Sequence, residues 1–396
     1  MTVIINKPGF NLRETLTSLK RKIGIKGAEL MAAETVGDVY NVIGTNRNKI
    51  INGDMRIDQR NNGSSVSTAT TNNWTTFGVD RFNLSFRPST GVATAQRVTD
   101  VPTGQNFTYS LKATQVSTTA ASSSDVYQFY HRIEGYNIND FAFGTTGASS
   151  LAISFWVKAS IAGPYSLGLV SGYDGSTYRS YVTDYDVTIP NAWQKITVII
   201  PGDAGGTSTW ASASGNGIGI SVYWDLGSGS LYQTSTTNTW QNGNYSSSNR
   251  RTSIMPTSGS TFQITGVQVE KGTVATPFEH RLYGTELALC QRYYQQHGFY
   301  GVVGQGQNTD RNSGSYVPFF VPMRTIPTTA SKIYDVDIGD LNIAFTPIIY
   351  TDAIGQGIGW RPYRNVATTI TRGDTMEILA NAGTEGGPRH PFSAEL

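Results

Sequence analysis

Recognition of a sugar needs a flat apolar surface for the C–H face of a pyranose, with amides or carboxylates beside it for the hydroxyls. Three stretches of the 396-residue chain offer aromatics in such a setting. Tyr173-Asp174-Gly175-Ser176-Thr177-Tyr178-Arg179 places two tyrosines around a polar turn. Trp240-Gln241-Asn242-Gly243-Asn244-Tyr245 places aromatics around amides. Gly359-Trp360-Arg361-Pro362-Tyr363-Arg364 has the aromatics with only arginine as polar partner. Tyr173, Tyr178, Trp240, Tyr245, Trp360 and Tyr363 are the candidate glycan contacts. For each, the competing reading is internal packing or a subunit interface. Trp156 and Trp193 stand in strong strand patterns and are expected in the core.

Catalytic and metal chemistry has little to stand on. There is no HExxH, P-loop, GxSxG or dinucleotide fingerprint. The four histidines, His131, His280, His297 and His390, are scattered, and none has the spacing of a metal ligand. Cys290 stands in an apolar context that suits a packed residue rather than a nucleophile. Asp335-Val336-Asp337-Ile338-Gly339-Asp340 holds oxygen ligands but lacks the spacing of a calcium loop and reads as an acidic turn. Arg372-Gly373-Asp374 is a tripeptide of ordinary turn type. No pair of carboxylates stands out as a glycosidase couple. The expectation is a non-enzyme with no catalytic residue, no metal and no cofactor.

The elements that must carry such residues are short strands. Charged residues make up only 15% of the chain. Gly, Ser, Thr, Asn and Tyr are plentiful, which suits strands joined by tight turns. Strands are predicted over 151–158, 193–200, 218–224 and 262–270, with Gly/Ser/Asn-rich breaks between them. Several short strands at this spacing point to a sandwich or jelly roll. A bridging segment over 284–294 separates a second β region, with strands suggested at 316–321, 341–345 and 376–380. The fold class is mainly β, in three parts: a short helical N-terminal anchor (1–48), a jelly-roll β-sandwich (49–283) and a C-terminal β domain (284–396).

The first part differs in charge and period. Residues 1–50 hold eight Lys or Arg against four Asp or Glu, which is +4 of a total of +2. Asn11 and Glu14 resemble a capping box, and Leu12, Leu16, Leu19 and Ile23 recur on one helical face. A helix this small cannot bury that stripe alone, so it is expected to anchor or assemble the chain. The low total charge argues against a nucleic-acid-binding surface. No stretch has the length and apolarity of a membrane span. With one cysteine there is no intrachain disulfide, and no apolar signal core opens the chain, so folding is expected in a bacterial cytoplasm.

Several segments are also familiar in order. Asn48-Lys49-Ile50-Ile51-Asn52-Gly53-Asp54-Met55-Arg56-Ile57-Asp58-Gln59-Arg60 resembles the "NGDM-x-I-x-QR" opening of phage tail-fibre and virion structural proteins, and Asp80-Arg81-Phe82 resembles the element that follows it. Ile264–Gly272, Ala275–Glu279 and Glu286–Tyr294 resemble their "TG-x-Q-x-E-x-G…ATPFE-x-R…EL-x-x-CQRYY" run. Val321–Pro327 resembles "PMR-x-x-P", and Ser393–Leu396 their usual ending. The resemblance covers about residues 48–396. It implies a jelly-roll body similar to carbohydrate-binding modules, commonly a homotrimer. On this footing the chain is expected to be a virion structural protein: a tail-fibre or surface-fibre subunit, attached to other virion proteins by its N-terminus and binding a host-surface glycan. The alternatives are a head or tail decoration protein and a glycan-degrading depolymerase. The motif itself reads as architectural.

Overall fold

β-branched and aromatic residues at alternate positions give each strand one apolar face, and Gly, Asn and Ser close the turns between strands. The computed structural model describes residues 47–68, 76–87, 91–118, 120–173 and 175–296. Beyond these it describes strand backbone and short connections, with side chains at 319–325, 327 and 392–396. The expected helix with Leu12, Leu16, Leu19 and Ile23 lies outside the described residues, as does Arg372–Asp374.

Residues 48–396 form one compact unit. Its body is a jelly-roll sandwich. The strands in chain order are β1 (Val66–Ser67), β2 (Thr76–Val79), β3 (Phe82–Arg87), β4 (Val92–Val98), β5 (Ser110–Ser117), β6 (Val126–Glu134), β7 (Leu151–Ala159), β8 (Gly163–Ser171), β9 (Arg179–Val187) and β10 (Gln194–Ile200). A short helix α1 (Thr207–Ser212) precedes β11 (Ile218–Asp225), β12 (Gln233–Thr234), β13 (Trp240–Asn242), β14 (Ser247–Ser248) and β15 (Thr261–Lys271). Among the described residues one sheet runs β1-β4-β5-β15-β7-β10 and the facing sheet β13-β9-β8-β11-β6-β3-β2. The chain passes repeatedly between the two, so strands that neighbour in space are often remote in sequence.

Alternation fills the space between the sheets. Phe129 and Ile133 of β6, Leu167 and Leu169 of β8, Val222 and Trp224 of β11, and Ile153 and Phe155 of β7 all belong to one buried core. Phe155 meets Trp224 from the opposite sheet edge to face, at 5.7 Å and 86°. Such aromatic pairs add about 0.5–1.5 kcal/mol beyond their buried area.

The structure corrects two expectations in this core. Simple alternation along β15 sets Ile264 with Gln268 and Glu270. Instead the register shifts between Thr265 and Gln268, and Gly266 sits at φ 61°. This bulge returns Ile264, Val267 and Val269 to the core together and groups Gln268 with Glu270, whose side chains are 3.0 Å apart. Trp156 and Trp193 are half-buried rather than internal. Trp156 alternates with the core residues Phe155 and Val157 and so faces away from the partner sheet. Trp193 precedes β10 and donates to Asp100 at 3.1 Å.

The segments that resemble the phage motif converge on one hub. Asn52, at φ 62°, gives its amide to the Ile57 and Asp80 carbonyls, both at 2.8 Å. Gln59 donates to Asp80 at 2.6 Å. The Arg60 guanidinium lies 3.8 Å from the Phe77 ring and 3.6 Å from Tyr294. Arg81 lies 3.6 Å from Tyr293 and pairs with Glu395. Arg281 pairs with Glu279 and Glu286, at 3.6 and 3.4 Å, whereas Arg292 reaches Glu134 at 2.7 Å. Cys290 packs with Ile51, Ile57 and Tyr293, and burial raises its thiol pKa well above the usual range.

Helix α2 (Tyr283–Gln291) leads into β16 (Tyr294–Gly298), which pairs with β25 (Arg389–Ser393). Between these two strands the backbone forms a sheet from β17 (Val302–Asn308), β18 (Arg311–Asn312), β19 (Ser315–Pro318), β21 (Tyr334–Ile338), β22 (Leu341–Thr351), β23 (Gly357–Tyr363) and β24 (Thr375–Ile378). β20 (Thr328–Thr329) adds to the β16–β25 pair instead. The chain therefore leaves the hub at Tyr294 and returns to it at Ala394, whose N–H donates to the Tyr293 carbonyl at 2.8 Å.

Candidate functional site

The outer face of the seven-stranded sheet carries a groove of about 330 Å³. The alternation that fills the core also builds this groove. On β6, Tyr127, Phe129 and Ile133 turn inward, while Gln128, Tyr130 and Arg132 line the groove. On β11, Val222 and Trp224 turn inward, while Ser221 and Tyr223 line it. Tyr130 and Tyr223 are register partners, with rings 5.7 Å apart. Tyr173, Tyr178, Tyr232, Asn244 and Ser246 close the groove from the loops.

Tyr173 and Tyr178 stack at 4.7 Å and 29°. Tyr173 is 56% exposed, which leaves ring surface for a ligand. Burial, with Tyr223 and Tyr173 close by, raises the Tyr178 hydroxyl above its usual value. Burial pushes Tyr130 up to about 12. These phenols are neutral donors and acceptors at neutral pH. Gln128 Oε1 accepts from Ser246 Oγ at 2.9 Å, so its amide N–H₂ remains to meet a ligand. Among the described residues the lining combines aromatic rings with hydroxyls, amides and the Arg132 guanidinium and contains no carboxylate, histidine or cysteine.

The sequence candidates divide. Tyr173 and Tyr178 meet in the groove. Trp240 instead packs against the core, with Trp210 at 5.6 Å, Phe143 at 5.7 Å and Tyr181 at 5.4 Å, and its Nε1 donates to the Pro201 carbonyl at 2.8 Å. Tyr245 is half-buried and covers Gly243. Trp360 and Tyr363 lie in β23, whose backbone alone is described. Tyr130, Tyr223 and Tyr232 were not among the candidates. The signal for Tyr223 is its place between Val222 and Trp224, which alternation aims at the opposite face. Among the described residues no cluster of His, Cys, Asp and Glu is arranged to hold a metal.

No family profile matches the chain, and the search of curated proteins found no match to it. Solved structures similar to it include the enzymatically active domain of tailspike protein 4 of bacteriophage CBA120, at 12% identity and TM-score 0.30, covering 57% of this chain and 21% of that one. A family 11 carbohydrate-binding module from Clostridium thermocellum, in complex with a β-1,3-1,4-mixed-linked tetrasaccharide, is similar at 10% identity and TM-score 0.26, covering 50% of this chain and 93% of that one. The CBM22-1 xylan-binding domain from Paenibacillus barcinonensis Xyn10C is similar at 13% identity and TM-score 0.25, covering 54% and 97%.

Proposed function

We propose that this chain is a structural subunit of a bacteriophage particle, a tail-fibre or surface-fibre protein whose jelly roll binds a host-surface glycan. The observation that carries the glycan reading is the tyrosine-lined groove. Tyr173, Tyr178 and Tyr223 offer ring faces, and Gln128, Asn244 and the serines offer hydrogen bonds to hydroxyls. The virion reading is supported by the order of the motif segments. Residues 1–48 attach the subunit to other virion proteins, three copies associate, and the chain is made in the bacterial cytoplasm before it joins the particle.

Binding without hydrolysis is favoured because glycosidases mostly work with two carboxyl groups flanking the bond, and none of the described residues lining this groove carries one. The test is a glycan array probed with the full chain and with Tyr178→Ala and Tyr223→Ala. Losing a stacked aromatic costs about 1–3 kcal/mol by analogy with base stacking, so binding is expected to fall about tenfold or more in each variant. Unchanged binding in both would place the contact elsewhere. Absence of binding to any glycan would favour a decoration protein, and release of reducing ends would favour a depolymerase.

A further inference from the structure

We propose that the tail Ala394–Leu396 sets the floor of the tyrosine groove through Arg132, so that seating of the tail and binding of a glycan strengthen each other. This rests on the glycan reading above and adds the residues that position the site. The tail is built into the body rather than laid on it. Ala394 is 3% exposed and packs with Phe319, Met323 and Phe392. Its N–H donates to the Tyr293 carbonyl at 2.8 Å. Arg324 donates from Nε to the Ala394 oxygen at 2.8 Å and from Nη2 to the Glu395 backbone oxygen at 2.9 Å. The Glu395 carboxylate pairs with Arg60 at 3.1 Å and with Arg81. Leu396 packs on the cluster of Ile51, Ile57, Cys290 and Tyr293.

From this seat two contacts reach β6. Arg81, paired with Glu395, donates from Nη2 to the Arg132 carbonyl at 2.6 Å. Arg132 in turn donates from Nη1 to the Leu396 oxygen. The first contact acts on backbone that the sheet already fixes, since Arg132 pairs with Ser221 of β11. The second acts on a long side chain that lines the groove. The Arg132 guanidinium lies 4.8 Å from the Tyr130 ring, and the Tyr130 ring lies 5.7 Å from that of Tyr223. Tail, arginine and the two floor tyrosines therefore form one chain of contacts.

What the tail contributes is order. Among the described residues the Leu396 oxygen is the one hydrogen-bond acceptor that Arg132 reaches, and its Nε is sealed from solvent without a partner. Arginine is rich in rotamers, and a site that must immobilise such a side chain on binding loses affinity. With the tail seated, the guanidinium is held against Tyr130 before a ligand arrives. With the tail unseated, the same side chain is free to sweep the groove. Glu395 and Leu396 do not themselves line the groove, so they are positioning residues that act through Arg132. The linkage runs both ways: the factor by which seating raises glycan affinity is the factor by which bound glycan favours the seated tail.

The test takes the oligosaccharide that the full chain binds best on the glycan array. It is titrated into the full chain, a chain lacking Glu395 and Leu396, Arg132→Ala, and the two changes combined. Removing the two residues is expected to weaken binding about three- to tenfold. In the Arg132→Ala background the same removal should change affinity less than about twofold, because the side chain it acts through is gone. Equal losses in both backgrounds would reduce the tail to a general structural support and overturn the proposal. Hydrogen exchange on the unaltered chain gives a reading that misfolding of a variant cannot disturb. Saturating oligosaccharide is expected to slow exchange of the Ala394 amide by about the same three- to tenfold. The Gly259 amide, which donates to the Gln115 carbonyl in the other sheet at 2.8 Å, should not change. An unchanged Ala394 rate, with binding that Tyr223→Ala abolishes, overturns the coupling and leaves the glycan reading standing. No binding to any array member overturns both.

Discussion

Arg81 is 2% exposed and meets the Glu395 carboxylate, the Arg132 carbonyl at 2.6 Å and the face of Tyr293. Removing one partner of a buried ion pair strands the other charge at a cost of about 3–5 kcal/mol. Glu395→Ala strands Arg81 and leaves Arg60 with the Asp80 carboxylate at 3.9 Å, so a loss of about 3 kcal/mol in urea unfolding is expected. Glu395→Gln keeps an acceptor and should lose less. An unmoved midpoint in the alanine variant would mean the pair contributes nothing. His131 makes a pH-dependent contribution. Burial, reinforced by the Arg81 charge, holds its pKa well below 6.5, so the unfolded chain binds the proton first. Its contribution to stability therefore falls as pH drops below about 6.5, by about 1.4 kcal/mol per pH unit. Asp80 runs the other way. Burial raises it to about 6, and the cost of its buried charge fades as pH falls through that value. Unfolding of the wild type and of His131→Asn between pH 6 and 5 isolates the histidine, and parallel slopes would refute its role. At this scale half of the groove was legible. Tyr173 and Tyr178 flank a polar turn, where tyrosines look available. Tyr130 and Tyr223 sit within apolar strands, where only the sheet order reveals that they meet.

The elements show where a fixed period fails. The strands over 151–159 and 218–225 were visible because β-branched and aromatic residues crowd between glycine-rich breaks. The face of β15 was not visible, because one extra residue at a bulge inverts every assignment after it. Gly266 is the residue that permits the bulge. Its φ of 61° suits glycine, and a Cβ there would lie 2.5 Å from the Phe107 ring. Gly259 has a similar φ of 78°, with nothing within 4 Å of its Cβ. Gly259→Ala is expected to cost only about 1 kcal/mol, the backbone share. Gly266→Ala adds the clash with Phe107 and is expected to cost about 2–4 kcal/mol. Equal losses in the two variants, read from unfolding midpoints, would show that Phe107 moves aside freely. Trp156 and Trp193 teach the same lesson from the other side: an apolar strand pattern says that a strand exists, but which face each tryptophan takes depends on what the partner sheet covers.

For the whole molecule, the hub explains why motif segments that are far apart in sequence belong together. Asn52, Asp80, Glu286, Tyr293 and Glu395 close one network, and the sheet between β16 and β25 is entered and left through it. The sequence displays these segments in order but not their convergence, which arises only when the strands assemble. Around this hub Leu282 is 81% exposed, Tyr283 58% and Phe320 63%. Covering a large apolar side chain stabilises by about 1.5–3 kcal/mol, so these residues give the β body a motive to associate in the proposed homotrimer. The apolar repeat of Leu12, Leu16, Leu19 and Ile23, expected from the sequence to share one helical face, offers a separate one. Light scattering on the full chain and on a chain beginning at Asn48 distinguishes them. The full chain is expected at three times 42.9 kDa. If the shortened chain is also trimeric, the body assembles itself, residues 1–48 are free to hold the particle, and Leu282→Glu with Phe320→Glu should return the shortened chain to monomers. If only the full chain is trimeric, the stripe holds the subunits together, and the attachment to the particle lies elsewhere. A monomeric full chain would end the homotrimer proposal and leave the groove to act as a single site.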